Sequence, residues 1–184
     1  PEDDDTMLGS VRADDRVFLL VNHVTNRRED ESASAFAAKV TDSRVVRAVI
    51  DALQPSLKSL TQVTIGNSPL QSCDYDRLLA DVQMRDLLSS WPPGDRPSVQ
   101  DLRGLTSSWN RLHAKVAEET RDASGSVEVN LGPDSMLEPL YQAGATPRFR
   151  VMDYAPEEVE AYHARGRHIY VLNRRILESN VIVS

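Results

Sequence analysis

The chain has 184 residues, which is enough for about one domain with a sizeable core. Its formal net charge of −7 excludes the broad basic surface of a nucleic-acid-binding protein. Its single cysteine, Cys73, excludes an internal disulfide and cysteine-paired zinc or iron–sulfur sites, and it favours a cytoplasmic location. No apolar run approaches the roughly 18 residues of a membrane span. The acidic N-terminus is unlike a signal peptide.

The first half of the sequence predicts strands that alternate with helices. Residues 1–14 are acidic and are predicted to be flexible. Arg16–Val21 is an apolar run typical of a strand covered on both faces. Thr41-Asp42-Ser43 predicts the N-cap of a helix that extends to about Leu53, because apolar residues recur there at helical spacing. Further strands are predicted at Gln62–Ile65 and Ser98–Arg103. A helix is predicted at Tyr75–Val82, with Ser72 or Asp74 as its cap. This helix either continues through Leu88 or is followed by a second helix that ends there.

The second half is less regular. Residues 104–124 fit both helix and strand, and a strand-like excursion is favoured. In the first half, residues 25–40 fit either a long loop or a weak helix. Ser126–Leu131 alternates as a strand and is followed by a turn and a short helix. The remaining elements are strands at Phe149–Met152, His168–Leu172 and Val181–Val183, and helices that begin at Pro156 and Asn173.

This alternation predicts an α/β fold with a mostly parallel sheet and flanking helices, Rossmann-like and three-layered. Residues 15–184 are predicted to form a single α/β domain that is incomplete at its C-terminal end. Ligands of such sheets collect outside the carboxyl ends of the strands. The polar residues at the predicted strand ends are Asn22-His23, Asn67-Ser68, Asp101, Arg103, Asn130, Asp134, Ser135 and Asp153.

Three local motifs have both a functional and a structural interpretation. Gly66-Asn67-Ser68-Pro69 offers backbone N–H groups to an anion but lacks a phosphate-loop pattern, so a strand-exit turn is favoured. His163 and His168 miss the spacing of metal ligands on one helix face, although a loop can bring them together. The alternative is that both histidines bond to nearby backbone or acids. Cys73 suits a small buried side chain better than a reactive thiol at a helix start.

The order of these motifs resembles the bacterial and archaeal Domain of Unknown Function 362 family from about residue 11 onward. The motifs that carry the resemblance are Val21-Asn22, Thr41-Asp42-Ser43-Arg44-Val45-Val46, Ile65-Gly66-Asn67-Ser68-Pro69, Gln71-Ser72-Cys73-Asp74, Asp101-Leu102-Arg103, Val129-Asn130-Leu131-Gly132-Pro133-Asp134-Ser135, Tyr162-His163-Ala164-Arg165-Gly166-Arg167-His168-Ile169-Tyr170 and Leu177-Glu178-Ser179-Asn180-Val181-Ile182-Val183.

The resemblance implies an α/β domain of unsettled biochemistry. Some relatives carry iron–sulfur modules, but this chain has no cluster ligands, so the cofactor stays unknown. Relatives continue with a lysine-rich segment ending in histidine, which makes this chain resemble an N-terminal fragment. Two departures bear on function: Asn67 stands where relatives carry an acid, and Leu20-Val21-Asn22 lacks the lysine common at that strand end.

These observations predict part of an enzyme that binds a small polar or anionic ligand, with or without a metal, at the strand ends. His163 and His168 are the catalytic candidates, as proton carriers or metal ligands. The ligand-binding candidates are Asn22, Asn67, Ser68, Asp74, Arg165 and Arg167. The alternatives are a non-catalytic binding or accessory module, or a truncated remnant whose exposed sheet edge favours self-association. The expected partner is a small molecule, and neither nucleic acid nor a membrane is expected.

Overall fold

The computed structural model describes residues 10–109, 115–120, 125–142 and 159–184. The chain forms two compact units, the first from Pro1–Ala123 with Glu178–Ser184 and the second from Ser124–Leu177. The α/β class is confirmed. No helix in the described parts of the chain is long and apolar enough to cross a membrane. That residues 15–184 form a single domain stays a prediction.

The elements of the first unit include a parallel sheet, a separate antiparallel strand pair and four helices. They are β1 Val17–Leu20, α1 Ala33–Ala37, α2 Ser43–Leu53, β2 Val63–Asn67, α3 Tyr75–Asp81, α4 Met84–Ser89, β3 Ser98–Asp101, β4 Leu105–Trp109, β5 Lys115–Thr120 and β9 Val181–Val183. The second unit is smaller. Its elements are β6 Ser126–Asn130, α5 Glu138–Gln142, β7 His163–Ala164, β8 Arg167–Asn173 and α6 Arg174–Leu177.

The sheet of the first unit has four parallel strands in the order β3-β2-β1-β9. Val17 of β1 lies opposite Val63 of β2 on one side and Val181 of β9 on the other. Val17 and Phe18 are both buried, although successive side chains of a strand point to opposite faces. Both faces of β1 are therefore covered, as its apolar run predicted.

Helix α2 packs its apolar stripe against this sheet. The Asp42 side chain accepts a hydrogen bond from the backbone N–H of Arg44 at 2.8 Å, which caps the helix where the sequence predicted. Val46, Ile50 and Leu53 lie on its buried face and belong to the core of the unit. Burial of each such side chain stabilises the fold by about 1.5–3 kcal/mol.

The structure resolves three alternatives that the sequence left open in this unit. Asp74, rather than Ser72, caps α3, because its Oδ1 accepts from the Arg77 N–H at 3.0 Å. Gln83 adopts a left-handed φ of 56°, so α4 is a separate helix instead of a continuation. The strand-like excursion is confirmed where the chain is described, since β4 and β5 pair antiparallel.

The second unit holds an antiparallel sheet in the order β6-β8-β7. Because β6 pairs antiparallel with β8, the rule for the carboxyl ends of parallel strands does not apply to Asn130, Asp134 or Ser135. The strand predicted at Phe149–Met152, the helix predicted from Pro156, and Asp153 lie outside the described residues.

Candidate functional site

Four predicted ligand-binding residues lie in the first unit, at or after the carboxyl ends of β1 and β2. Asn22 follows β1 and is exposed, whereas Asn67 closes β2 and is only 5 % exposed. Ser68 follows directly and is exposed. Asp74 is also exposed, but its carboxylate caps α3. The parallel sheet therefore brings Asn22, Asn67 and Ser68 to one edge.

The buried amide of Asn67 is the most informative group at this edge. Its Nδ2 donates to the backbone carbonyl of His23 at 2.6 Å, which ties the end of β2 to the segment after β1. Its Oδ1 is buried and has no hydrogen-bond partner among the described residues. A buried acceptor without a partner costs about 1–3 kcal/mol, so this oxygen favours a donor brought by water or a ligand.

The same geometry explains why an amide occupies this position. An ionised aspartate at residue 67 would place a carboxylate oxygen against the carbonyl of His23, where only a donor is satisfied. Asn67 stands where the family that the sequence resembles carries an acid, and the contact with His23 accounts for an amide at this position.

His23 is a structural group that the sequence did not single out as such. Its side chain is 1 % exposed, and its Nε2 lies 3.2 Å from the backbone carbonyl of Thr41. A carbonyl only accepts, so Nε2 carries the proton. Burial lowers the pKa of His23 below its ordinary value, against the raising effect of that bond. His23 is therefore a neutral imidazole that fixes the segment between β1 and α2.

Arg103 organises the turn after β2, and sequence reasoning noted only its place at a strand end. Its guanidinium binds both carboxylate oxygens of Asp101 and donates through Nη1 to the carbonyls of Leu70, Gln71 and Cys73 at 2.9, 3.1 and 2.8 Å. The two side chains are only 4 % and 3 % exposed. The sequence pattern that could have indicated this contact is an Asp and an Arg two residues apart at the end of a predicted strand.

Cys73 lies in the turn that Arg103 holds. It is 6 % exposed, and burial raises the pKa of its thiol. The burial confirms the small buried side chain that the sequence favoured, and the raised pKa is unlike that of a reactive thiolate.

The catalytic candidates His163 and His168 come together in the second unit. They are direct cross-strand partners in the hairpin formed by β7 and β8. The Ile169 N–H donates to the Tyr162 carbonyl at 2.9 Å, so the histidine pair occupies a non-hydrogen-bonded position, where side chains are closest. Their ring centroids lie 5.6 Å apart.

Glu138, which the sequence did not single out, orients His168. Its Oε2 lies 3.0 Å from His168 Nε2 and also accepts from the Gly166 N–H at 2.8 Å. His168 is 0 % exposed and Glu138 is 4 % exposed. Because Glu138 precedes His168 by 30 positions, no local pattern marks the two as partners.

Aromatic rings surround the two histidines. Tyr141 contacts His168 edge-on with ring centroids 5.1 Å apart, and Tyr170 contacts His163 in the same way at 5.3 Å. The Tyr170 hydroxyl hydrogen-bonds Ser135 at 2.8 Å. Burial, followed by the nearby His168, lowers the pKa of His163. His168 and Tyr141 are buried, whereas His163 and Tyr170 are half-buried.

The two arginines of the hairpin differ in their contacts. Arg167 donates to the Ala161 carbonyl at 2.6 Å, which supports the backbone before β7. Arg165 is exposed and makes no side-chain hydrogen bond or ion pair within the described residues. Arg165 is therefore the better of the two candidates for neutralising a ligand charge.

Two chemistries fit the histidine pair. His168, held through Nε2 by a carboxylate, has an Nδ1 that can take up a proton or bind a metal ion. Within the described residues, no group of three or more His, Cys, Asp and Glu side chains is placed to hold a metal ion. The catalytic assignment of His163 and His168 stays a prediction.

No protein-family model matches the chain, and no curated protein or solved structure matches it at a significant level. The resemblance to the Domain of Unknown Function 362 family therefore stays a prediction.

Proposed function

We propose that the chain is part of an enzyme that binds a small polar ligand at the carboxyl edge of the parallel sheet in the first unit. The observation that carries the proposal is the Oδ1 of Asn67, a buried acceptor at the end of β2 without a partner among the described residues. Asn67 has its amide nitrogen fixed on the His23 carbonyl, so the oxygen is held in one orientation before a ligand arrives.

The strand order supports this location. From β1 the chain moves to β2 and then β3 on one side, whereas β9 lies on the other side of β1. In open parallel sheets, ligands bind outside the carboxyl ends of the strands where this order reverses. The reversal lies between β1 and β9, so it borders the end of β1, which leads into Asn22. Asn67 ends β2, on the other side of β1.

The charges at this edge favour a polar ligand over an anionic one. Asn67 Oδ1 is an acceptor and takes a hydroxyl or amino group. Arg103 is already engaged by Asp101 and three carbonyls, and Asp74 adds a negative charge after the same turn. We therefore infer a ligand with hydroxyl or amino groups as the main class.

The test is a binding assay against probes of defined chemistry. D-ribose and glycerol supply hydroxyls, ethanolamine supplies an amine, and citrate and inorganic phosphate supply anions. Each is titrated by calorimetry into the wild-type chain and the Asn67→Ala variant. We expect a hydroxyl or amino compound to bind and its affinity to fall about tenfold in the variant, because one hydrogen bond to a buried oxygen is lost.

Asn180→Ala is the matched control. Asn180 ties the opposite edge of the same sheet, since its Oδ1 accepts from the Arg16 N–H at 3.0 Å before β1 and β9 begin. Its loss is expected to reduce stability without changing the affinity for the probe. Equal affinities in wild type and Asn67→Ala, or an equal loss in Asn180→Ala, would contradict the proposal.

A non-catalytic binding or accessory module is the second candidate. The polar groups near this edge favour this candidate, because they already form hydrogen bonds within the protein. These groups are His23, Arg103 and Asp74. The chain is incubated with the bound compound in an extract of small molecules, and mass spectrometry then measures how much of the compound remains. This measurement distinguishes the two candidates. Consumption of the compound indicates an enzyme, and binding without consumption indicates a module.

A further inference from the structure

We propose that His163 and His168 bind one divalent transition-metal ion through their δ-nitrogens, with the remaining coordination positions open to water or a ligand. This site lies in the second unit and involves no residue of the sheet edge in the first unit. The ion belongs to the group for which imidazole is a preferred ligand, such as zinc, nickel or copper.

The hydrogen bonding of His168 leaves one of its ring nitrogens available to an ion. The Glu138 carboxylate accepts a hydrogen bond from the N–H at Nε2 of His168, which leaves the lone pair on Nδ1. That Nδ1 is buried, as the whole residue is, and has no partner in the described part of the chain. Metal-binding histidines commonly donate their second nitrogen to a carboxylate, which fixes the tautomer and the ring orientation.

His163 presents the same unsatisfied atom next to His168. Its Nδ1 is also buried and unpartnered within the described residues. The two residues face each other across the hairpin, so their imidazoles share one face of the sheet. Two buried nitrogens on neighbouring rings are both satisfied by one bridging ion.

The separation of the two imidazole rings also bears on the site. A tetrahedral ion with bonds of about 2.0–2.1 Å to one nitrogen of each ring places the two centroids roughly 5 Å apart. The observed separation is 5.6 Å, with the ring planes inclined by 31°. The two rings therefore lie close to the spacing that one shared ion requires.

The support for the two rings comes from the fold rather than from the ion. Glu138 Oε2 binds both His168 Nε2 and the N–H of Gly166, the turn residue between β7 and β8. This carboxylate therefore holds the imidazole and the hairpin turn together. Since only two protein nitrogens take part, the site leaves positions open, unlike a closed structural zinc site.

The experiment uses the untagged chain after removal of metals with EDTA. Binding of Zn²⁺ is measured by competition with a coloured chelator, and Co²⁺ is used to record d–d absorption. We expect one ion per chain, with affinity reduced at least tenfold in His163→Ala. We expect a reduction of about 10–100-fold in Glu138→Gln, which removes the orienting carboxylate.

His113→Gln is the control that removes one imidazole elsewhere in the sequence, and it should bind like wild type. Nitrogen-15 spectra of the histidine rings should show Zn²⁺ shifting the Nδ1 signals of His163 and His168, with Nε2 of His168 remaining protonated. The inference is overturned if wild type does not bind Zn²⁺, if His163→Ala binds equally well, or if His113→Gln loses binding. The calorimetric test at Asn67 is unaffected by these outcomes, so the two proposals fail separately.

Discussion

The buried contact between Arg103 and Asp101 gives the sharpest stability prediction. In Arg103→Met, an apolar side chain of similar length replaces the guanidinium, and a carboxylate 3 % exposed loses its positive partner. Three backbone carbonyls of the turn after β2 lose their donor as well. Removal of one partner of a buried ion pair costs about 3–5 kcal/mol, a large part of the roughly 5–15 kcal/mol that stabilises a typical domain.

The assay is urea denaturation followed by circular dichroism. With a slope of about 2 kcal/mol per molar urea, a loss of about 4 kcal/mol moves the midpoint by roughly 2 M. Arg85→Met is the control, because Arg85 and Asp76 form an exposed ion pair, 59 % and 85 % accessible. Such surface pairs contribute about 0–1 kcal/mol.

The double variant Asp101→Asn/Arg103→Met tests the reason for the loss. If the unpaired buried charge dominates, the double variant is more stable than Arg103→Met alone, because no carboxylate is left without a cation. A loss below about 1 kcal/mol in Arg103→Met would refute the reasoning. A double variant no more stable than the single one would show that the carbonyls, and not the charge, set the cost.

Three further predictions concern single residues. Gly66→Ala should lower stability by about 1–3 kcal/mol, because its Cβ would lie 2.8 Å from the Phe18 ring; Gly94→Ala, with nothing within 4 Å of its Cβ, is the control in the same urea titration. The unfolding free energy should fall as the pH drops below 6.5, the ordinary pKa of histidine. The pKa of buried His23 is lowered, so the unfolded state binds more protons in that range; a His23→Gln variant with an identical pH profile would contradict this. Gly166→Ala should cost about 1–2 kcal/mol, because Gly166 has a φ of +73°; an unchanged urea midpoint would contradict it.

Local patterns predicted the first unit well. The apolar run of β1, the cap at Asp42 and the stripe of α2 each depend on neighbouring residues, and each is confirmed. The turn after β2 was placed correctly as well. The contacts that Arg103 makes with this turn are not predicted, because three of the five oxygen atoms that its guanidinium binds are backbone carbonyl oxygens, which no sequence pattern reveals.

The second unit was predicted less completely, for a related reason. The strand at Ser126–Leu131 is predicted from its alternation, and a strand is predicted at His168–Leu172 as well, but neither prediction specifies the direction of pairing. The short strand β7 has two residues, too few for any periodic signal. The pairing of His163 with His168 and the contact with Glu138 follow from that antiparallel arrangement, so spacing rules for helices could not reveal them.

The most direct test of the ligand site is a nitrogen-15 correlation spectrum of the chain, recorded during titration with whichever probe of the calorimetric panel binds. The account predicts that the largest shifts fall on Asn22, Ser68 and the side-chain amide of Asn67, at the carboxyl edge of the sheet. Arg16 and Asn180, at the opposite edge, should stay unchanged. Shifts centred on Arg16 and Asn180, or an Asn67 amide that does not respond, would contradict it.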